Sequence, residues 1–212
     1  MVDEKIVKMV RKALDDAPER KFKESVDIAI NLKDVDLSVP KNRIAEEIIL
    51  PKGRGKVLKI AVIGSQEMIL KAKSVADVVI NEEDLDTYAD DKKSGRKIAN
   101  SVDFFIAEAP FMPVVGKKMG IFLGPRGKMP RPIPPGADPT PLVKSLRNSV
   151  RVRSKDKGTF HVPVGTTEMS VEELGENIEA ILKRVINKLE RGKQNIDSIY
   201  IKTTMGPSVR MM

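Results

Sequence analysis

The stretch Thr203-Thr204-Met205-Gly206-Pro207-Ser208 combines hydroxyls, a thioether, a glycine and a proline, with no charge before Arg210. A loop of this content at the end of a strand offers backbone N–H and C=O groups beside a small apolar surface. Gly206 has no side chain to hold a partner away, and Pro207 disfavours a helical conformation at the residue before it. The hydroxyls of Thr203, Thr204 and Ser208 both donate and accept. This chemistry suits a ribose and its phosphate, where specificity comes from shape and 2′-hydroxyl contacts more than from charge. The alternative reading is an ordinary connecting loop.

Other candidate chemistries fail on residue type or spacing. Gly124-Pro125-Arg126-Gly127-Lys128 invites a nucleotide reading, but two residues separate its glycines, and Met129, not Ser or Thr, follows the lysine; a phosphate-binding P-loop needs four residues there and a hydroxyl after Lys. Gly64-Ser65-Gln66 lacks the three spaced glycines of a dinucleotide turn. The chain has no Cys and one histidine, His161. That leaves no thiolate nucleophile and no zinc set, and no Gly-x-Ser-x-Gly elbow is present. Asp90-Asp91 and Glu82-Glu83-Asp84 read as helix-start charges and solvated faces. No cofactor, metal or catalytic residue is expected. A nucleotide-binding or other α/β enzyme is the alternative, and tight ATP or NAD binding would discriminate it.

Composition points the same way. Of the 212 residues, 38 are Lys or Arg and 30 are Asp or Glu, a formal charge of +8 that favours acidic partners, nucleic acid foremost. Aromatics make up only 4 %, with no Trp, which argues against a sheet that stacks bases on rings. No apolar run approaches the roughly 18 residues of a membrane helix, and the charged start at Asp3-Glu4 lacks the pattern of a secretory signal. A cytoplasmic protein without a membrane partner is expected.

The elements that must position these residues follow from periodicity. Asp3 can cap a helix over about 4–17, ended by Pro18. Residues 25–32 alternate as a half-buried strand, with Val26, Ile28, Ile30 and Leu32 on one face. Residues 43–50 form a second strand with a charged interruption at Glu46-Glu47, and Pro51-Lys52-Gly53-Arg54-Gly55 reads as a hinge. The texture then changes. An apolar run over 57–63 fits a strand buried on both faces. Helical patterns near 67–75 and 92–101 alternate with strands at 77–80 and 103–107, implying βαβ crossovers and a parallel sheet. A short helix over 111–116, a Gly/Pro-rich loop over 124–136, a helix over 140–148 and an edge strand over 150–153 complete this part. The first texture returns with a strand through Phe160, Val162 and Val164, and with the capping box Ser170-x-x-Glu173 before a helix to about Glu190. Residues 196–203 form the last strand.

The simplest architecture is an insertion: α/β and α+β, with a split α+β domain of residues 1–52 and 158–212, and an inserted three-layer α/β (Rossmann-like) domain of 53–157. Under these bounds the terminal domain holds 18 cations and 18 anions, and the inserted one 20 and 12. Net charge alone therefore points to the inserted domain as the one that attracts nucleic acid.

Four segments in order, Lys21 to Asp27, Gly120 to Pro132, Thr159 to Gly165 and Thr203 to Ser208, resemble the "L-one" family of large-subunit ribosomal proteins, in its compact archaeal form. The resemblance spans nearly the whole chain and agrees with the two-domain shape. It implies a structural, non-enzymatic constituent of the large subunit that binds large-subunit ribosomal RNA and shapes the mobile stalk near the exit-site tRNA. It also implies repression of its own messenger RNA through a similar RNA element, and a monomer when free. The residues it implies for RNA binding are Lys21, Phe22, Ser25, His161, Thr203, Thr204, Met205, Gly206 and Ser208, with Arg126 and Lys128 as a secondary RNA or tRNA contact. It places the principal RNA contacts in the terminal domain, which then recognises by fit, while the inserted domain supplies a long-range field and weaker phosphate contacts. Phe22, flanked by Arg20, Lys21 and Lys23, reads as a surface platform; a core residue at a strand start is the alternative. His161 reads equally as a phosphate contact or as a plain strand residue.

Overall fold

A computed structural model of the chain describes residues 4–212. The chain divides into two compact units: Met1–Lys56 with Asn148–Met212, and Val57–Arg147. The first unit begins with α1 (Glu4–Asp15), β1 (Ser25–Leu32) and β2 (Ala45–Ile49). The second holds β3 (Ile60–Ile63), α2 (Gln66–Ala72), β4 (Val78–Ile80), α3 (Glu82–Asp90), α4 (Lys92–Ser101), β5 (Phe104–Glu108), α5 (Met112–Lys118), α6 (Gly120–Arg126), β6 (Arg131–Ile133) and α7 (Thr140–Arg147). The chain then returns to the first unit through β7 (Ser149–Arg153), β8 (Thr159–Thr166), α8 (Val171–Lys188), β9 (Ile196–Thr203) and β10 (Val209–Arg210). The molecule is mixed α/β, with both antiparallel and parallel sheets. The expected Asp3 cap lies outside the described residues.

In the terminal unit an antiparallel sheet runs in the order β10-β9-β1-β8. Val26, Ile28 and Ile30 of β1 are buried with Val162 and Val164 of β8 and with Ile199 and Ile201 of β9. Val10 and Ala13 of α1 and Leu174, Ile178, Ile181 and Val185 of α8 close this core. Burying each aliphatic side chain is worth about 1.5–3 kcal/mol, so one alternating strand specifies which face the helices cover. The capping box of α8 forms: Ser170 Oγ accepts from the Glu173 amide at 3.2 Å, and Glu173 accepts from the Ser170 amide at 3.0 Å.

The inserted unit has a parallel sheet ordered β4-β3-β5-β6. Its central strands β3 and β5 are buried on both sides because adjacent residues enter different cores. Ala61 and Ile63 pack with Leu85, Ala99, Met119 and Phe122 of α3, α4 and the α5–α6 region, whereas Ile60 and Val62 pack with Met68, Val143 and Leu146 of α2 and α7. This is the two-sided burial that a continuous apolar strand demands.

Several expectations change. The strand expected over 57–63 begins only at Ile60, and Val57 is 81 % exposed. The stretch from Gly124, read as a loop, begins inside α6: Gly127, at φ +63°, ends that helix by donating to Gly124 and Leu123 carbonyls, a left-handed cap that suits glycine. Arg131–Ile133 then joins the parallel sheet beside β5. The edge strand assigned to the inserted domain, β7, instead pairs antiparallel with β2 in the terminal unit. Its arginine explains the charged interruption, since Arg151 meets Glu47 at 3.0 Å across the pair and Arg184 of α8 meets Glu46 at 2.7 Å.

Moving β7 relocates charge. The joins fall at 56/57 and 147/148 rather than at 52/53 and 157/158. Arg54, Lys56, Arg151, Arg153, Lys155 and Lys157 therefore belong to the terminal unit, with Asp156. That unit then holds 24 Lys/Arg against 19 Asp/Glu, a surplus of five, and the inserted unit 14 against 11, a surplus of three. The neutral terminal domain expected from the sequence follows from the bounds 1–52 and 158–212 and does not hold at these joins.

Candidate nucleic-acid interface

The N-terminal end of β1 and the C-terminal end of β9 lie side by side, with Val26 opposite Thr203. The Thr203–Ser208 stretch does not follow the last strand, as expected; it is the connection between β9 and the short β10, which turns back along Ile201 and Tyr200. Hydrogen bonds lock the two chain segments together. The Ser25 amide donates to Thr204 Oγ1 at 3.1 Å, and Thr204 Oγ1 donates to the Ser25 carbonyl at 3.3 Å. The Met205 amide donates to Glu24 Oε2 at 2.9 Å. A third segment joins them: the Thr167 amide donates to the Glu24 carbonyl at 3.1 Å, and Lys23 Nζ meets Glu168 at 2.7 Å.

Glu24 is the organising group, and sequence reasoning passed over it. It lies inside the Lys21–Asp27 segment, but a carboxylate is the wrong sign for RNA and drew no attention. Its side chain is only 4 % exposed. The Met205 amide and the Thr203 hydroxyl hold its carboxyl below the ordinary glutamate value of 4.5, with Arg20 and Lys202 adding weaker attraction.

Two expected contact residues prove internal. Thr203 is fully buried, and its Oγ1 accepts from the Gly206 amide at 3.0 Å. Gly206 is also buried. A Cβ there would press well inside contact distance of Thr203 Oγ1 and lie 3.2 Å from Ala17 Cβ. Glycine is required by this internal packing, not by the approach of a partner. Both residues shape the turn.

The surface that remains is small and mixed. Phe22 is 54 % exposed and Met205 57 %, so the core alternative for Phe22 does not hold. Lys21, Thr204 and Ser208 are exposed, and Ser25 is half-buried. Lys56 donates to Ser25 Oγ at 2.8 Å. It is a second residue the sequence hid, because it directly follows the segment read as a hinge. That segment is tied down within the terminal unit: buried Asn177 donates to the Gly53 carbonyl at 2.8 Å and to the Val164 carbonyl at 3.0 Å, and accepts from the Lys52 amide at 3.1 Å. At Gly55, φ is +70° and a Cβ would lie 2.6 Å from Thr166 Oγ1.

His161 is not in this corner. It is exposed on β8 opposite Ala29, four residues along β1 from Ser25, or roughly 13 Å. Lys128 of the inserted unit is committed internally, with Nζ donating to the Ala99 and Val102 carbonyls at 3.0 and 2.6 Å at the end of α4. Arg126 donates to Asn100 Oδ1 at 2.7 Å and to the Phe122 carbonyl at 3.0 Å. Among the described residues no cluster of His, Cys, Asp and Glu could hold a metal ion, and no helix is long and apolar enough to cross a membrane.

Comparison with known proteins gives this corner its context. The family model described as "Ribosomal protein L1p/L10e family" matches residues 10–207. Curated archaeal relatives carry the name "Large ribosomal subunit protein uL1". The chain is 56 % identical to that of Thermoplasma acidophilum over 206 residues, covering 97 % of this chain and 95 % of the relative. It is 55 % identical to that of Thermoplasma volcanium over the same span and shares. It is 52 % identical to that of Methanocella arvoryzae over 213 residues, the full length of both. A match over almost the whole length, through both units and both segments of the corner, leaves one assignment: the chain belongs to the ribosomal protein L1p/L10e family.

Proposed function

We propose that this protein is a non-enzymatic constituent of the large ribosomal subunit, and that it grips large-subunit ribosomal RNA through the corner where Lys21–Ser25 meets Thr204–Ser208. The observation that supports this reading is the reciprocal bonding of residues 24–25 with 204–205, which leaves Phe22 and Met205 uncovered on a braced backbone. A preformed apolar platform ringed by hydroxyls and cations loses little conformational freedom on binding. Phe22 and Met205 lie against sugar and base surfaces. Thr204, Ser208 and the backbone meet ribose hydroxyls, and Lys21 and Lys56 meet phosphates. Thr203, Gly206 and Glu24 act from beneath by holding the turn. His161 on the neighbouring strand extends the contact along the sheet.

The terminal unit is the RNA-binding domain in this reading, and the inserted unit supports it. The bound RNA is the stalk element near the exit-site tRNA, which the protein also meets. A similar element in its own messenger is bound less completely, which represses translation. The site of action is the ribosome in the cytoplasm. The test is a chemical footprint on large-subunit ribosomal RNA with the native protein, Thr204→Val and Met205→Asp. The native protein should protect one folded region. Met205→Asp, which sets a carboxylate against phosphates without touching the core, should lose that protection. An unchanged footprint with Met205→Asp refutes the proposal.

A further inference from the structure

Helix α4 of the inserted unit presents Lys92, Lys93, Arg96 and Lys97 on its solvent side, all exposed. At 100° per residue these positions and Asn100 fall within one arc of about 140°. The opposite side is anchored: Gly95 and Ala99 are buried, and a Cβ at Gly95 would lie 2.8 Å from both Phe122 Cε2 and the Tyr88 carbonyl. The start of α4 is also held, with Asp91 accepting from the Lys93 amide at 2.9 Å and from Ser94 Oγ at 2.6 Å. At the other end Arg126 donates to Asn100 Oδ1, which adds its guanidinium to the row. No ion pair to Lys92, Lys93, Arg96 or Lys97 is formed among the described residues, although α3 beside them is strongly acidic. Like charges four residues apart oppose helix formation, so this face is maintained against local preference on a helix fixed by tight packing.

We propose that the α4 ridge is a docking surface for the phosphate backbone of RNA, distinct in residues and in chemistry from the corner on the terminal unit. From residue 92 to residue 100 the ridge extends about 12 Å, long enough to meet several consecutive phosphates of one strand. Five cations on such a length read charge and spacing, not sequence. The carboxylates of α3 repel phosphate along one border and so restrict the path of the strand. Membership in a ribosomal protein family favours RNA over an acidic protein as the occupant.

The test uses the full chain and an RNA duplex of about 20 base pairs with arbitrary sequence, so that the corner on the terminal unit makes no specific contact. Affinity is measured between 50 and 200 mM salt for the native protein, for a variant with Lys92, Lys93, Arg96 and Lys97 all changed to Gln, and for a matched variant with Lys8, Lys12, Lys155 and Lys157 changed to Gln. Each lost phosphate contact lowers the log–log salt slope by about 0.9. The ridge variant should therefore be shallower by about three to four and bind at least tenfold more weakly at the low-salt end, while the matched variant keeps nearly the native slope. If the four-site variant does not fold, Arg96→Gln with Lys97→Gln should still remove about half of the slope change. Equal losses in the ridge and matched variants reduce the effect to net charge and overturn the proposal. An unchanged slope in the ridge variant, including the case in which an acidic protein takes this face, overturns it as well.

Discussion

Gly206→Ala tests whether the turn is shaped from beneath. The added methyl would enter the space of Thr203 Oγ1 and stand 3.2 Å from Ala17 Cβ. Thr203 cannot move aside, because it is fully buried and its hydroxyl is held by the Gly206 amide and by Glu24. Overpacking of this kind costs about 1–3 kcal/mol, so about 2 kcal/mol is expected. Thr203→Ala alone strands the buried Gly206 amide and should cost about 1–3 kcal/mol. In the double variant the clash with Thr203 Oγ1 is absent and only the approach to Ala17 remains, so the total should fall short of the sum by about 1–2 kcal/mol, well beyond the 0.5 kcal/mol scatter of independent sites. The two tyrosines allow a clean measurement. Tyr88 lies in the inserted unit and Tyr200 in the terminal one, so in a Tyr88→Phe background urea unfolding followed by tyrosine fluorescence reports the terminal unit alone. With a slope near 2 kcal/mol/M, Gly206→Ala should lower the midpoint by about 1 M. Binding to ribosomal RNA should fall at least tenfold, since Met205 and Ser208 move with the turn. Additive costs refute the argument, and so would an alanine that binds RNA as well as the glycine.

Three further outcomes follow from the same geometry. Glu24 has a depressed pKa in the folded protein, so its contribution to stability is present above about pH 4.5 and is lost as pH falls through the folded value; the midpoint gap between the native protein and Glu24→Gln should close on going from pH 7 to pH 3, and a constant gap would contradict its role. Asn177→Ala removes the partners of two carbonyls and one amide and should destabilise the terminal unit by about 2–4 kcal/mol, with faster amide exchange at Lys52; unchanged exchange there means the residue does not hold the segment. Lys56→Gln should leave the fold intact and lower the salt slope of ribosomal RNA binding by about one, and an identical slope removes Lys56 from the interface.

Much of the architecture was legible along the chain. Alternation over 25–32 and the strand read over 196–203 match β1 and β9 residue for residue, and the Ser170–Glu173 pair marked the start of α8. Local rules suffice where an element announces itself by period and cap. The misreadings share a cause. Gly124 to Gly136 looks like loop because of its glycines and prolines, yet Pro125 is tolerated in a short helix and Gly127 ends it. The strand read over 150–153 was legible, but its partner was not, because pairing with β2 joins residues about a hundred positions apart.

The candidate site divides along the same line. Phe22, Thr204, Met205 and Ser208 could be named from residue type and order, since exposed apolar groups beside hydroxyls state their chemistry locally. That Thr203 and Gly206 work from inside, that Glu24 ties two chain ends together, and that Lys56 reaches Ser25 depend on which atoms lie within 3 Å of each other after folding. Sequence alone determined most of the elements, the family resemblance and the overall positive charge, because periodicity, ordered motifs and composition survive without coordinates. Only the tertiary structure decided which unit holds that charge and which hydroxyls remain free, because both depend on contacts between residues far apart in the chain.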